Sequence, residues 1–156
     1  MKTYSFIMLK PDALERELAQ DIMERFIEAR FTIEIVGYKK TTEELILAHY
    51  EEPMRRIEGL KEMALKNLTD KYMMPMIVAY DGKDAITRVS EIVGKTNPPD
   101  ADVGTIRHDF GEDSLERSSK ENRFLNNLIH RCDNKEAFNR EVKLWLGEKT
   151  YMKYRY

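Results

Sequence analysis

A single cysteine, Cys132, in 156 residues rules out an internal disulfide framework and any zinc site built from cysteines alone. A reducing compartment follows as the default, and a cytoplasmic location is expected. Charge of either sign is also nearly balanced: 26 Lys+Arg against 28 Asp+Glu leave a net charge of -2. No overall field therefore draws the chain to nucleic acid or to an anionic membrane, nucleic acid is not an expected partner, and any anion site has to be local. Long hydrophobic runs are missing. The apolar stretch entered by Met1-Lys2-Thr3-Tyr4 is too short for a signal peptide or a membrane span, so a soluble protein without membrane attachment is expected. No internal repeat is visible. What remains is 42% hydrophobic and 35% charged, which fits one domain over residues 1–156 with no room for a second.

The apolar pattern orders that domain. Tyr4-Ser5-Phe6-Ile7-Met8-Leu9 reads as a buried first strand ended by Lys10-Pro11-Asp12, with Lys10 at its mouth. Leu18, Ile22, Phe26 and Ala29 recur at helical spacing over 17–29, and 31–38 reads as a second strand. Thr41-Thr42-Glu43-Glu44 offers an N-cap for a helix through Leu45, Ala48 and His49, which Pro53 breaks. A further helical pattern covers 54–67, crossing Gly59. Residues 75–80 form a third strand, and 84–93 a helix closed by Gly94. The segment 95–111, with Asn97-Pro98-Pro99-Asp100 and Gly104, is a long loop, ordered or not, of the kind that carries function in compact domains. Leu128-Ile129 gives a short strand reaching His130, and Asn134 caps a last helix over 135–146. This order suits an α+β fold, the ferredoxin-like sandwich: a split βαβ unit whose four-stranded antiparallel sheet is covered by helices on one face, with extra helical insertions. The aromatic tail, 147–156, is expected either to dock on a neighbouring subunit or to be mobile.

Composition alone does not choose among His49, His108 and His130. Position singles out His130, which leaves a short apolar strand where a substrate could reach it, although a lone histidine there is more often structural or exposed than nucleophilic. Arg107 in the long loop and Arg88 in the preceding helix are candidate anion binders, although most arginines are merely solvated.

Several stretches together single out one family. They are Lys10-Pro11-Asp12, Arg88, Thr96-Asn97-Pro98, Gly104-Thr105-Ile106-Arg107-His108-Asp109-Phe110 and Asn127-Leu128-Ile129-His130. From Tyr4 to Trp145 the chain resembles the nucleoside diphosphate kinase family, with the motifs in order and at matching spacing. The resemblance implies transfer of the γ-phosphoryl group of a nucleoside triphosphate to a nucleoside diphosphate, by ping-pong chemistry through a phosphohistidine. It makes His130 the nucleophile and sets Lys10, Tyr50, Arg88, Thr96, Arg107 and Asn127 around the phosphates and ribose. Glu141 would hydrogen-bond the imidazole. The residue types suit that chemistry. An imidazole with an ordinary pKa of about 6.5 is largely neutral near pH 7, and fixed cations stabilise the charge on a transferring phosphoryl group. With no Gly-x-x-x-x-Gly-Lys-Ser/Thr loop, Mg2+ is expected to arrive with the nucleotide phosphates, and no metal site is assigned to the protein itself. The resemblance also implies a homo-oligomer, a tetramer or hexamer built from dimers.

The departures from the family are specific. Where the family has His-Gly-Ser-Asp, this chain has His130-Arg131-Cys132-Asp133, replacing a hydroxyl by a weaker thiol donor and adding a positive charge beside the nucleophile. The base-stacking aromatic before Gly59-Leu60 is missing, and Arg56 could stack by its guanidinium plane instead. Residues 61–74 and 111–126 are longer than the usual pattern, and 112–124 forms either a helix or flap near the base or a plain surface loop. These changes keep open an alternative, a nucleotide-binding module of the same fold with little or no turnover.

Overall fold

The computed structural model describes all 156 residues. In chain order the elements are β1 (Lys2–Leu9), α1 (Pro11–Glu15), α2 (Ala19–Glu28), β2 (Phe31–Val36), β3 (Lys39–Lys40), α3 (Glu43–His49), α4 (Glu51–Arg56) and α5 (Leu60–Leu68). Then follow β4 (Tyr72–Asp81), α6 (Ala85–Val93), a 3-10 turn at Pro98–Asp100, α7 (Ile106–Phe110), α8 (Leu115–Lys120), β5 (Ile129–Arg131), α9 (Lys135–Leu146) and α10 (Glu148–Tyr154).

The four main strands lie in the order β2-β4-β1-β5, each antiparallel to its neighbour, while the short β3 pairs with β4 beyond the end of β2. Since β4 separates the parallel β1 and β2, this is the split βαβ arrangement of the ferredoxin-like sandwich. Helices cover both faces, however, not one. Along β1, Phe6 and Met8 enter a core with Ile46, Phe138 and Trp145, whereas Ile7 and Leu9 enter a second core with Ile22, Phe26 and Val89. The physical reason was present in the chain: an unbroken apolar run, rather than an alternating one, marks a strand buried on both sides.

Most of the elements follow their sequence signals. Asp84 caps α6 by accepting the Thr87 N–H, and Gly94 ends it at φ 91°. Asn134 caps α9 through the Ala137 N–H at 2.8 Å. Other details differ. Pro11 does more than end β1, since it starts α1 at the first helical position, where its missing N–H is no loss. The helical pattern over 54–67 is split, because Gly59 adopts φ 79° and α5 begins after it. Pro53 lies within α4, and the chain turns at Tyr50 instead. The 95–111 loop is ordered by its 3-10 turn and by α7, and 112–124 holds α8, capped by Ser114. The tail folds back on its own chain. α10 packs on α9, Tyr154 is buried, and the Tyr156 hydroxyl accepts the Tyr4 N–H at 2.8 Å.

Candidate active site

At the C-terminal end of β1 the chain makes a tight structure around one strained residue. Leu128, just before β5, holds φ 77°, a region that a branched side chain rarely adopts. Two bonds pin it there: its N–H donates to Asp12 Oδ2 at 3.1 Å, and its carbonyl accepts the Lys10 N–H at 2.8 Å. Thus Lys10 and Asp12 fix the turn between Asn127 and His130 from outside. This use of Asp12 was not readable from spacing, because it depends on β1 and β5 lying side by side.

That turn opens on a cleft of about 610 Å³, within the range of small-molecule sites. Lys10 is buried at its base and donates to Asn127 Oδ1 at 2.7 Å and the Leu125 carbonyl at 3.0 Å. Burial pushes its ammonium down to about 8. Asn127 in turn donates to the Thr96 carbonyl at 3.0 Å. Arg107 is anchored from α7 by bonds to the carbonyls of Asn127 (3.3 Å), Gly94 (3.1 Å) and Ile129 (2.5 Å), and burial first, then Arg131, lowers it to about 10. Tyr50 lines the same cleft, its hydroxyl held protonated by burial.

His130 faces the cleft from β5, with its Nε2 hydrogen-bonded to Glu141 of α9. Nδ1 is then the ring nitrogen without a protein partner. Burial, then the Lys10 charge, keeps the imidazole well below its usual range, while burial raises the Glu141 carboxyl. Behind it stands His49, its ring 4.4 Å from the His130 ring and its Nδ1 accepting the Trp145 indole N–H at 3.0 Å. His49 was not distinguishable by sequence, since its partner lies 96 residues away. The site thus presents a neutral imidazole, oriented from behind by a carboxylate, toward a cleft with cations fixed in its wall.

Of the residues expected here, Lys10, Tyr50, Thr96, Arg107, Asn127 and His130 line the cleft, and Glu141 reaches His130 from below. Arg88 does not join them. Its guanidinium lies 4.4 Å over the Tyr80 ring, outside the cleft. Arg56 is also absent, being exposed and paired with Glu52 on α4. Ile57 and Leu60 line that wall, and Phe124 joins Tyr50 as an aromatic facing the cleft, 5.4 Å from the Tyr50 ring and 4.9 Å from Lys10 Nζ. Leu115, Ser118, Ser119 and Asn122 bring the segment 112–124 into the same wall, so it is part of the cleft and not a remote loop.

A sequence profile of nucleoside diphosphate kinases matches residues 3–151. The chain belongs to the nucleoside diphosphate kinase family. A Methanocaldococcus jannaschii nucleoside diphosphate kinase is 36% identical over 148 residues, covering 95% of this chain and 96% of its own. One from Streptococcus uberis is 32% identical over 149 residues, covering 94% and 95%. Among solved structures, a Borrelia burgdorferi nucleoside-diphosphate kinase with bound vanadate and ADP, a transition-state mimic, superposes at a TM-score of 0.87 with 25% identity, covering 96% of this chain and 89% of that one. A Pyrobaculum aerophilum NDP kinase gives 0.84 with 26% identity and 97% and 99% coverage. The chain is accordingly a phosphotransferase of the nucleoside diphosphate kinase type, and the reading as a bare binding module is set aside. No helix is long and apolar enough to cross a membrane.

Within this kinase the exchanged residues acquire positions. The Cys132 sulfur sits 3.4 Å from Ser5 Oγ and from the Phe6 N–H, and the second Glu141 oxygen, Oε2, is buried without a hydrogen-bond partner. Arg131 lines the cleft beside His130, with Nη1 2.9 Å from Asp133.

Proposed function

We propose that His130 is the phosphoryl carrier of this nucleoside diphosphate kinase, and that the observation carrying this reading is the neutral imidazole held at Nε2 by Glu141 with Nδ1 free toward the cleft. In the first half-reaction the Nδ1 lone pair attacks the γ-phosphorus of the nucleoside triphosphate. The N–P bond forms as the bond to the bridging β–γ oxygen breaks, and the nucleoside diphosphate departs. The ring then carries positive charge, which the Glu141 carboxylate offsets across the Nε2–H bond. In the second, a terminal oxygen of another nucleoside diphosphate attacks the same phosphorus and the N–P bond breaks. Lys10 and Arg107 meet the charge on the equatorial oxygens. Both are already held by backbone and side-chain bonds, so they stabilise it without reorganising. Thr96, Tyr50 and Asn127 orient phosphate and sugar.

The base lies between Ile57 and Leu60 on one side and Phe124 on the other, so the stacking surface comes from the segment before β5 rather than from the approach to Gly59. A Mg2+ brought in with the nucleotide would offset negative charge on its phosphates. Hard cations take oxygen ligands, and Asp133, exposed at the cleft rim, is the carboxylate suited to meet its water shell. The imidazoles of His49 and His130 do not suit it. A cytoplasmic homo-oligomer, built from dimers into a tetramer or hexamer, is part of the same reading. Exposed Val36 at the end of the edge strand β2, and the exposed Tyr38 and Tyr72 stacked 4.7 Å apart beyond it, support a contact there.

The test is to mix the protein with Mg2+ and γ-labelled ATP, examine wild type and His130→Asn for acid-labile label, and chase with GDP. Label on wild type alone, discharged to GTP, supports the mechanism. Label retained by His130→Asn refutes the assignment, and no label on wild type refutes the phosphohistidine route. Sedimentation velocity tests the assembly, with a monomer at micromolar concentration as the adverse result.

A further inference from the structure

Phosphoryl transfer is stabilised by cationic donors fixed around the phosphates, and three arginines line the cleft, Arg107, Arg123 and Arg131. Arg88 is stacked on Tyr80. Arg123, although it lines the cleft, is spent on a two-pronged pair with Asp113 at 2.6 and 2.8 Å and on Glu121. Arg131 is differently placed. It follows the nucleophile directly on β5, lines the cleft, and has a half-buried side chain whose Nε is enclosed without any partner. Its one protein bond goes through Nη1 to Asp133, an acid 80% exposed to solvent. An exposed pair of that kind is worth little, so the guanidinium can leave it for a better anion at small cost. The Arg131 side chain lines the same cleft as Arg107 and His130.

We propose that Arg131 is a phosphate-binding residue of this kinase, supplying from the nucleophile's own strand the guanidinium that Arg88 does not bring to the cleft. On binding, Arg131 releases Asp133 and donates two N–H groups to oxygens of the nucleotide phosphates, a planar fork that lysine does not reproduce. Asp133, so released, would be the carboxylate available to the water shell of a Mg2+ brought in with the nucleotide. This inference rests on the cleft being the nucleotide site proposed above, and its test separates the two.

Binding of ADP and of adenosine is measured by calorimetry for wild type, Arg131→Gln, Arg131→Lys and Arg88→Gln. The single-turnover rate of His130 labelling from γ-labelled ATP is measured in parallel. Loss of a charge-assisted, two-pronged contact lowers ADP affinity and labelling rate by about 10- to 100-fold in Arg131→Gln, leaves adenosine binding unchanged, and is only partly rescued in Arg131→Lys. Arg88→Gln stays near wild type. If ADP and adenosine weaken equally, Arg131 acts on the fold and the proposal is overturned. It is also overturned if ADP binding is unaffected in Arg131→Gln, or if Arg88→Gln shows the phosphate-specific loss instead. Should wild type bind ADP yet take no label, the phosphohistidine reading fails while the ADP-to-adenosine ratio still decides Arg131. Should Arg131→Gln not fold, Arg131→Lys decides: adenosine unchanged with ADP weakened supports the proposal, and both unchanged overturns it.

Discussion

Replacing Lys10 by methionine should make the protein more stable at neutral pH while abolishing its activity. Lys10 is 5% exposed, and burial lowers its ammonium from 10.5 to about 8. That difference corresponds to about 3 kcal/mol against the folded state wherever the lysine is charged. Methionine fills similar space without the charge. Against this stand two acceptors that lose their donor, Asn127 Oδ1 and the Leu125 carbonyl, at about 1 kcal/mol each. The balance is about 1 kcal/mol in favour of Lys10→Met at pH 7. The sign then reverses. The folded pKa lies below the unfolded one, so between about pH 8 and 10.5 the unfolded chain holds the extra proton and wild type gains stability as pH rises, by about 1.4 kcal/mol per pH unit. Lys10→Met has no such gain, and other groups titrating in that window are common to both proteins. Urea unfolding of the pair at pH 7 and pH 10, at fixed protein concentration, should therefore show their order of stability exchanged. A stability difference that does not change with pH would refute the account of Lys10 as a desolvated cation. Phosphoryl transfer by wild type should fall above about pH 8, as the same ammonium loses its proton.

Asp12→Ala removes the acceptor that holds the strained turn at Leu128, leaving its N–H unpaired. A loss of about 1–3 kcal/mol in urea unfolding should accompany a larger fall in kcat than in KM, and unchanged activity would sink the clamp. Phe124→Ala should raise the nucleotide KM by about 5- to 50-fold if the base stacks on it, with little change for inorganic tripolyphosphate binding; equal losses for both ligands would count against stacking. Cys132, buried and with its thiol pushed up to about 11, should resist iodoacetamide at pH 7.5 in the native protein and react in urea; rapid native modification, read by mass spectrometry, would show that the site opens.

The strands and the longer helices were legible because their signals are local. Asp84, Gly94 and Asn134 do what capping residues do, and the period of Ile22 and Phe26 names the buried face of α2. Lys10, Arg107, Asn127 and His130 were legible as motif positions. Arg88 was expected beside the phosphates and lies over Tyr80 instead, because spacing along the chain does not say which side of α6 a side chain leaves. Arg56 failed for a related reason, since a neighbouring turn offered Glu52 as a partner. Phe124, His49 and Asp12 act through contacts with residues 74, 96 and 116 positions away, namely Tyr50, Trp145 and Leu128. No spacing rule joins them until the sheet does.

The cost of the site is concentrated in a few buried groups, and that concentration explains its form. Lys10, Arg107, His130 and Glu141 are each destabilised by burial in their charged state, and a fold of this size can carry such groups only where neighbours hold them. His130 and Glu141 hold each other, and the two cations are held by carbonyl oxygens: the Asn127 side chain and the Leu125 backbone for Lys10, and the backbones of Asn127, Gly94 and Ile129 for Arg107. Carbonyls position a cation without neutralising it, so its charge stays available to a phosphate. Carboxylate partners would have stabilised the empty cleft more and the transition state less. Arg123, paired with Asp113 and Glu121, shows the other choice in the same cleft. It braces the segment before β5, and its charge is already answered. Arg107, held by carbonyls, and Arg123, answered by two carboxylates, thus mark the two extremes in this cleft, and Arg131, whose one carboxylate partner is exposed to solvent, lies between them.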